Sequence, residues 1–428
     1  MLALGCFAVA AVSLLVFKQP TYDPTAWLIW GRQIAHGTLD TVAGPSWKPF
    51  PVVFTTPLSL LGDEGALKVW LVIARAGGVA AIVLAYRTAL RLHSRTAGIV
   101  AALALVLANE FCFNWVRGNS EGLLVAFTLL SFLAFLDDHR DRAFLLGGGA
   151  ALIRPEIWPL WGVYGLWLLY ERRDRRTALM VLGGGALVAA AWFVPEYIGS
   201  GDIFRGANRA REPVAGSPGA SDHPFFNTFT HSAKALSYGM YAGAVAALVV
   251  AYKNRAVAWL AGASAALMLL VALLATNGFT GNIRYVALPM ALLCVLAGVG
   301  WGWVAERGPR AAAAVLALAA LPGLAGAGQT LYRNLDRTRE ADRFYGALPA
   351  FIKAAGGRAA VLRCGQVYTG PFQTQAVAYR LHLHEKQVGI RPKAPGAILD
   401  HNGTILGSAP GYDRVIARSD LWVLRRTC

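Results

Sequence analysis

Charged residues are scarce in this chain of 428 residues: Asp, Glu, Lys and Arg make up 15% of it, against 56% for hydrophobic residues. This composition excludes an ordinary soluble fold, because one soluble core could not bury so much apolar surface. The mean hydropathy of +0.46 agrees with this exclusion. Lipid must therefore solvate much of the chain, and we predict an integral membrane protein with membrane lipids as partners.

Acidic residues are few as well, with 24 Asp and Glu against 40 Lys and Arg, a net charge of +16. The cations occur in short bursts between apolar segments and not on one basic face, so we predict membrane topology signals and no nucleic-acid partner. No Lys or Arg precedes the apolar residues 1–17, and no small-residue cleavage site precedes Lys18. We expect residues 1–17 to be the first membrane span and not a removable signal peptide.

The chain has only five cysteines, and three of them (Cys6, Cys112 and Cys294) lie in apolar segments, where a thiol behaves as a small hydrophobe. Cys364 and Cys428 are the two cysteines of the polar tail. If the tail faces an oxidising compartment these two can form a disulfide, and otherwise they are two free thiols.

Long apolar runs predict the membrane spans, each close to the roughly 20 residues that a helix needs to cross hydrocarbon. The block 143–170 is too long for one span and is interrupted by Arg154-Pro155-Glu156. We predict two short helices there and about eleven transmembrane helices in total, the other nine near 1–17, 67–86, 96–113, 119–136, 177–195, 233–252, 256–276, 284–304 and 311–330.

Basic bursts at 87–95, 137–142, 171–176, 253–255 and 306–310 fall on alternate connections, which the positive-inside rule places in the cytoplasm. This predicts a multi-pass protein of the cell (plasma) membrane with a cytoplasmic N-terminus. The outer side then receives a first loop at 18–66, a Gly/Pro-rich and mobile loop at 197–232, and the tail. We divide the chain into a membrane domain, 1–330, and a small extracytoplasmic α/β domain, 331–428, in which "AAVLRC" is predicted to be a strand.

Ionisable residues concentrate on the predicted outer connections, at helix ends, where such groups are costly unless they are paired or hydrated. A converging set of this kind is a candidate site; it comprises Asp23, Lys48, Arg117, Glu121, Arg154, Glu156, Arg205 and Arg284, with Tyr285 beside them.

Four segments, in matching order along the topology, resemble the GT-C superfamily of membrane glycosyltransferases that use polyprenyl-phosphate sugars (PMT/ArnT/arabinosyltransferase-like). They are "YDPTAWLIWGRQIAHG" after the first span, "RGNSEGLLVAFTLLSFLAFL", "GGGAALIRPEIWPL" and "GNIRYVALPM". The resemblance covers residues 1–330 and implies a GT-C-like α-helical polytopic fold. It also implies transfer of a sugar from a polyprenyl-phosphate donor to a cell-envelope glycan, lipid or protein at the outer face.

In an inverting transfer one carboxylate deprotonates the acceptor hydroxyl and cations stabilise the departing phosphate. Asp23 is the candidate general base, because it follows the first span and because the resemblance implies this role. Asp40 and Glu64 are the alternatives. A helix cap is the structural alternative for Asp23, since Pro24 follows it. No second acidic residue is adjacent to Asp23 in the first loop, so no metal is assigned and a divalent cation stays open as the cofactor.

The remaining residues of the set are candidates for contact with the donor phosphate or the substrate, and each has a structural alternative. Lys48 can snorkel beside Trp47, Arg154 and Glu156 can pair with each other, and interfacial belts account for most Tyr at such depths. A transporter or flippase of lipid-linked glycans is the alternative function, and it should place ionisable residues at mid-bilayer depth. A non-catalytic scaffold would explain the helices but not the grouping of charges.

Overall fold

The computed structural model describes residues 2–108, 110–307, 310–402 and 409–428, without the side chains of 310–322. Up to Ser200 the chain forms ten helices, joined by short connections: α1 (Leu2–Val12), α2 (Tyr22–Ala35), α3 (Pro49–Leu58), α4 (Gly62–Leu92), α5 (Arg95–Leu107), α6 (Phe111–Val116), α7 (Glu121–Leu136), α8 (Arg140–Ala151), α9 (Trp158–Arg172) and α10 (Arg175–Ser200).

The second half continues with α11 (Arg205–Ala210), α12 (Pro224–Ser232), α13 (Tyr238–Ala251), α14 (Arg255–Thr276), α15 (Ala287–Arg307), α16 (Arg310–Ala354), α17 (Gly357–Leu362) and α18 (Thr374–Arg380). The block 143–170 divides between α8 and α9, with a 3-10 turn at Pro155–Ile157 between them. Proline cannot donate a backbone N–H and disfavours a helical residue before it, so Arg154 adopts an extended backbone and the helix breaks there.

By length and composition, four helical segments among the described residues can cross a membrane: Pro49–Leu92, Arg175–Ser200, Arg255–Thr276 and Ala287–Arg307. A fifth is added if the pair Pro224–Ala235 and Tyr238–Ala251, bent by 105°, counts as one span. All the predicted spans coincide with helices, but several of these are shorter, so the number of eleven crossings stays a prediction.

The predicted first loop is not irregular: residues 18–66 contain α2, α3 and the start of α4. Trp27 and Trp30 are fully buried there, as is Trp70 of α4, and Trp27 meets Trp70 edge to face with ring centroids 5.6 Å apart. Aromatic pairs of this geometry add stability beyond the area that they bury. A packed and rigid platform therefore follows the first helix.

The tail forms a small α/β unit, as predicted. Its five-stranded sheet has the order β2-β1-β3-β5-β4, with β1 parallel to both of its neighbours and the other pairs antiparallel. The strands are β1 (Gln366–Tyr368), β2 (Val388–Gly389), β3 (Gly396–His401), β4 (Arg414–Arg418) and β5 (Trp422–Arg426). The prediction of a strand at "AAVLRC" is wrong, because residues 357–362 form helix α17, whose N-cap Gly356 and first residue Gly357 both have a positive φ.

Helix α16 runs without a break across residue 331 into the tail, and the tail helix α18 packs on α2. Trp422 of β5 stacks on Phe344 of α16 with ring centroids 4.3 Å apart, and its indole N–H donates to the Phe344 carbonyl oxygen. A disulfide joins Cys364 to Cys428, which ties the last residue of the chain to the segment before β1.

Candidate active site

Asp23 lies in the first turn of α2, where a carboxylate interacts favourably with the helix dipole. Thr21 occupies the N-cap position, so the cap alternative for Asp23 does not describe this helix. The Asp23 carboxylate is instead paired with a guanidinium, its Oδ2 lying 3.0 Å from Arg284 Nη1. The two residues are 261 positions apart in sequence, and the fold brings them together at one end of the helices.

Arg284 sits in the turn before α15 and reaches three acceptors with three different nitrogens. Besides Asp23, it donates from Nε to Glu121 Oε1 at 2.9 Å and from Nη2 to Asn119 Oδ1 at 3.1 Å. Burial acts to lower the pKa of Arg284, and the Glu121 and Asp23 carboxylates more than reverse this. Its guanidinium is therefore charged and fixed in orientation. Asn119, next to the motif residues in "RGNSEG", is a member of the site that the sequence analysis missed.

Glu121 is fully buried at the start of α7 and bridges two arginines. Its Oε1 lies 3.2 Å from Arg154 Nη2, while Arg154 Nη1 lies 3.2 Å from Glu156 Oε1. The Arg154 guanidinium also lies 4.7 Å from the centre of the Tyr285 ring. Burial acts to lower the pKa of Arg154, and Glu156 and Glu121 raise it above its usual range. Arg154 and Glu156 thus do pair, but within a larger ionic network.

Lys48 is the N-cap residue of α3 and has an extended backbone held by Pro49. Its ammonium lies 5.2 Å from the centre of the Trp27 ring. Burial lowers the pKa of Lys48 to about 8, with a further decrease from Arg154 and Arg284 and an increase from the carboxylates Glu121 and Asp23. The surroundings therefore favour entry of an anion beside this ammonium.

A cavity of about 640 Å³, within the range of small-molecule sites in proteins, is lined at its charged end by Asp23, Lys48, Arg154, Glu156, Arg284 and Tyr285. Most of the remaining wall is apolar and comes from α9, α10, α14 and the segment 203–214, with Trp158, Trp192, Phe193, Phe204, Val214, Leu270 and Leu274. The cavity thus combines a charged end with an apolar wall, which suits an amphipathic ligand with an anionic head.

Three of the predicted contact residues lie outside this lining. Glu121 contacts the cavity residues Arg154 and Arg284 without lining the cavity itself, and the other two are Arg117 and Arg205. Arg117 stacks over the Phe113 ring at 4.3 Å, and burial lowers its pKa to about 10. Arg205 donates to the carbonyl oxygens of Gly44 and Pro45 at 2.9 and 2.5 Å, and so anchors the first loop. The structure therefore gives Arg117 and Arg205 packing contacts and does not support phosphate contact by either.

The predicted mobile loop 197–232 contains α11 and α12. Phe204, Arg209 and Arg211 from this loop line the same cavity. Arg211 lies over the ring of Phe279, which belongs to the turn before α15, at 5.6 Å. The loop is thus placed where a lid would be, and its mobility stays a prediction.

Metal-binding groups are not concentrated in this site. Among the residues that the structure describes, no three His, Cys, Asp or Glu side chains lie close enough together to hold a metal ion. Asp23 and Glu121 each face a guanidinium, as described above. The prediction of a divalent cation therefore stays open.

No family model and no curated protein sequence matches the chain. The structure is similar to that of ArnT from Cupriavidus metallidurans bound to undecaprenyl phosphate, with a TM-score of 0.61 at 15% identity over 100% of this chain and 97% of that chain. The apo state of the same protein gives a TM-score of 0.57 at 15% identity, with the same coverage.

At 15% identity such a likeness concerns the fold alone. Because it extends over the whole of this chain, it includes the tail unit as well as the membrane helices. The chain therefore has the GT-C-like fold that its motifs predict.

Proposed function

We propose that the protein is a membrane glycosyltransferase that moves a sugar from a polyprenyl-phosphate donor to an acceptor hydroxyl. The observation that carries the proposal is the cavity in which Asp23, Lys48 and Arg284 meet an extended apolar wall. The charged end fits a phosphate and the apolar wall fits the first isoprene units of a lipid. The similar structure of ArnT, which holds undecaprenyl phosphate, supports this class of donor.

The chemistry follows from the roles that these side chains can take. The acceptor oxygen attacks the anomeric carbon on the face opposite the phosphate, and its proton passes to Asp23, for which we assign Oδ1. The bond between the anomeric carbon and the phosphate oxygen breaks, and its electron pair leaves with the polyprenyl phosphate. Lys48 stabilises this leaving group as charge develops on it. One base suffices for inversion, in contrast to hydrolases that use two carboxylates.

We also propose that the site and the tail face the outside of the cell membrane. The basic bursts lie at the opposite ends of α7, α9 and α15 from the site. They meet one another there, since Arg91 lies 3.8 Å from Asp137 and His93 lies 3.1 Å from Glu306. The positive-inside rule assigns that end to the cytoplasm.

The test is a transfer assay with the purified full-length protein in proteoliposomes, supplied with a panel of polyprenyl-phosphate sugars and mixed envelope acceptors. Asp23→Asn should lower turnover by at least about 100-fold, the usual contribution of a general base. Asp222→Asn, in the exposed part of loop 197–232, is the matched control and should keep the wild-type rate. Near-normal turnover of Asp23→Asn would remove Asp23 from the role of base, and movement of the donor across the bilayer without transfer would favour the transporter alternative.

A further inference from the structure

The segment of residues 40–47 joins the platform helix α2 to Lys48 and has no regular secondary structure. Its course therefore determines where the ammonium of Lys48 lies. Gly44, in the middle of the segment, has a φ of +93°, a conformation that other residues adopt only at a cost. Asp40 closes a local turn by accepting a hydrogen bond from the Val42 N–H at 3.1 Å.

One side of this segment is held by the membrane domain. Glu196 of α10 accepts hydrogen bonds from the Thr41 hydroxyl and the Trp47 backbone N–H, both at 3.2 Å. Arg205 of α11 donates to the Gly44 and Pro45 carbonyl oxygens. These contacts are made by buried groups and fix the outer edge of the segment.

The other side is held by three consecutive tail residues, His384, Glu385 and Lys386, here called the 384–386 tripeptide. Lys386 Nζ lies 2.5 Å from Asp40 Oδ2, and His384 Nδ1 lies 3.8 Å from the same oxygen. His384 Nδ1 is also 3.1 Å from Gln33 Nε2 of α2.

Glu385 is the deepest member of the tripeptide, with 3% of its surface exposed. Its Oε2 accepts a hydrogen bond from the Trp30 indole N–H at 2.9 Å. Its Oε1 lies so close to Gly44 that a Cβ added at that glycine would come within 2.9 Å of it. Trp30 in turn packs on Trp47 with ring centroids 5.4 Å apart, and Trp47 directly precedes Lys48. A continuous packed path thus leads from the tail to the cavity.

We propose that the tail domain is a working part of the active site, in which the 384–386 tripeptide positions Lys48 by clamping residues 40–47 against α10 and α11. Glu385 and Lys386 are positioning residues, because they act through Trp30, Asp40 and the segment and do not touch the cavity. The proposal rests on the proposed function for its meaning in catalysis. Its structural content, that the tail controls the environment of Lys48, can be tested without any transfer assay.

The experiment uses the full-length protein with the substitutions Glu385→Ala and Lys386→Ala. Lys386 is a surface residue with 55% of its side chain exposed, so its variant should fold even if Glu385→Ala does not. Glu385→Gln keeps an acceptor for Trp30 and should stay within about twofold of wild type. The matched control is Tyr379→Phe, which removes a hydrogen bond of 2.7 Å between the same tail domain and the Asp63 carbonyl oxygen, away from the segment.

Two measurements report on the segment directly. Hydrogen exchange of residues 40–48, followed by mass spectrometry, should become at least about fivefold faster in Glu385→Ala and Lys386→Ala, as expected for the loss of one hydrogen bond. Competitive acetylation of Lys48 over a pH series should give a midpoint near the wild-type pKa of about 8. In the two variants a loosened segment lets water reach the ammonium, and the midpoint should rise towards 10.5, the ordinary value.

Faster exchange together with a higher Lys48 midpoint in both variants, and neither change in Tyr379→Phe, would support the proposal. Any one of three results would overturn it: an unchanged exchange rate of residues 40–48, an unchanged acetylation midpoint of Lys48, or equal changes of both quantities in Tyr379→Phe. In the transfer assay the two variants should raise the donor KM by about fivefold, with kcat within about twofold of wild type. If the wild type transfers no sugar, the proposed function fails while the exchange and acetylation results still decide the role of the tail.

Discussion

The alkaline pH dependence of the reaction should report the charge state of Lys48. Its ammonium has a pKa of about 8, because burial and then the neighbouring guanidinium groups of Arg154 and Arg284 disfavour the charged form. The free enzyme therefore carries the positive charge below this pH and loses it above. At one pH unit above the pKa about a tenth of the molecules keep the ammonium, and at two units about a hundredth.

This titration sets the expected size of the effect. A hydrogen bond from a charged donor to the phosphate contributes about 1.5–3 kcal/mol, or roughly a 10- to 150-fold change in kcat/KM. We expect kcat/KM for the donor to be level near pH 7, to fall about tenfold per unit above pH 8, and to reach a floor that is lower by this factor. Because kcat/KM reports the free enzyme, the charge of a bound donor does not shift the pH at which kcat/KM begins to fall.

Two substitutions of Lys48 test whether loss of its charge causes the fall in kcat/KM above pH 8. Lys48→Arg keeps a cation at all accessible pH values and should abolish the fall in kcat/KM near pH 8. This holds even if the planar guanidinium fits the site less well and lowers the pH-independent value of kcat/KM. Lys48→Met keeps a side chain of similar length without charge, and should give a low rate that does not change between pH 7 and 9.5. The assay is initial-rate kinetics in proteoliposomes at fixed ionic strength. The assignment to Lys48 would be refuted if kcat/KM fell above pH 8 in the same way in wild type and Lys48→Arg. It would also be refuted if kcat/KM of the wild type stayed constant up to pH 9.5.

Three further outcomes follow from the packing. Glu121→Gln should lower the free energy of unfolding by about 1.5–3 kcal/mol, seen as a lower Tm in detergent, because two buried guanidinium groups lose their shared carboxylate; an unchanged Tm would contradict the bridging role. Gly31→Ala should cost about 1–3 kcal/mol, because its Cβ would lie 2.5 Å from the backbone of α3, whereas Gly183→Ala, with no atom within 4 Å, should not lower the Tm. Reduction, or replacement of Cys364 and Cys428 by serine, should destabilise the tail by about 2–4 kcal/mol, and an equal Tm with and without reductant would argue against the disulfide.

Helix positions were largely predictable, because hydrocarbon thickness imposes a length on apolar runs and Arg154-Pro155-Glu156 breaks the block between α8 and α9. The tail was less predictable, since its elements are short. Residues 357–362 are rich in small and apolar side chains that suit a helix or a strand, so the prediction of a strand there was wrong. The sequence offered a helix start at Asp23-Pro24, but the packing of α2 on α3 inside the first loop was missed, because two short helices carry neither the length nor the charge pattern of a span.

Most members of the site were predictable as a set at one end of the helices, but their pairing was not. Arg284 and Arg117 have similar positions in sequence, at helix ends that were predicted to face outward. Arg284 lies between three acceptors, whereas Arg117 lies over the Phe113 ring outside the cavity. Glu385 gave no signal, because a carboxylate between His384 and Lys386 in a polar stretch is typical of a surface. Only the fold places it against Trp30.

The charges of the site are balanced before any donor enters, with the carboxylates of Asp23, Glu121 and Glu156 facing the cations of Lys48, Arg154 and Arg284. Arg154 has its carboxylate partners within 3.2 Å, and Arg284 has its own within 3.0 Å. The donor phosphate is thus expected to meet Lys48 first. Arg284 Nη1 lies 3.0 Å from Asp23 Oδ2, so the Asp23 carboxylate is released from this ion pair only if the phosphate draws the guanidinium away from it. Donor binding and activation of the base then become one event, which would restrict proton removal to the loaded enzyme. Asp23→Asn should on this account bind undecaprenyl phosphate at least as tightly as wild type while losing turnover, and weaker binding would show that Asp23 holds the donor instead.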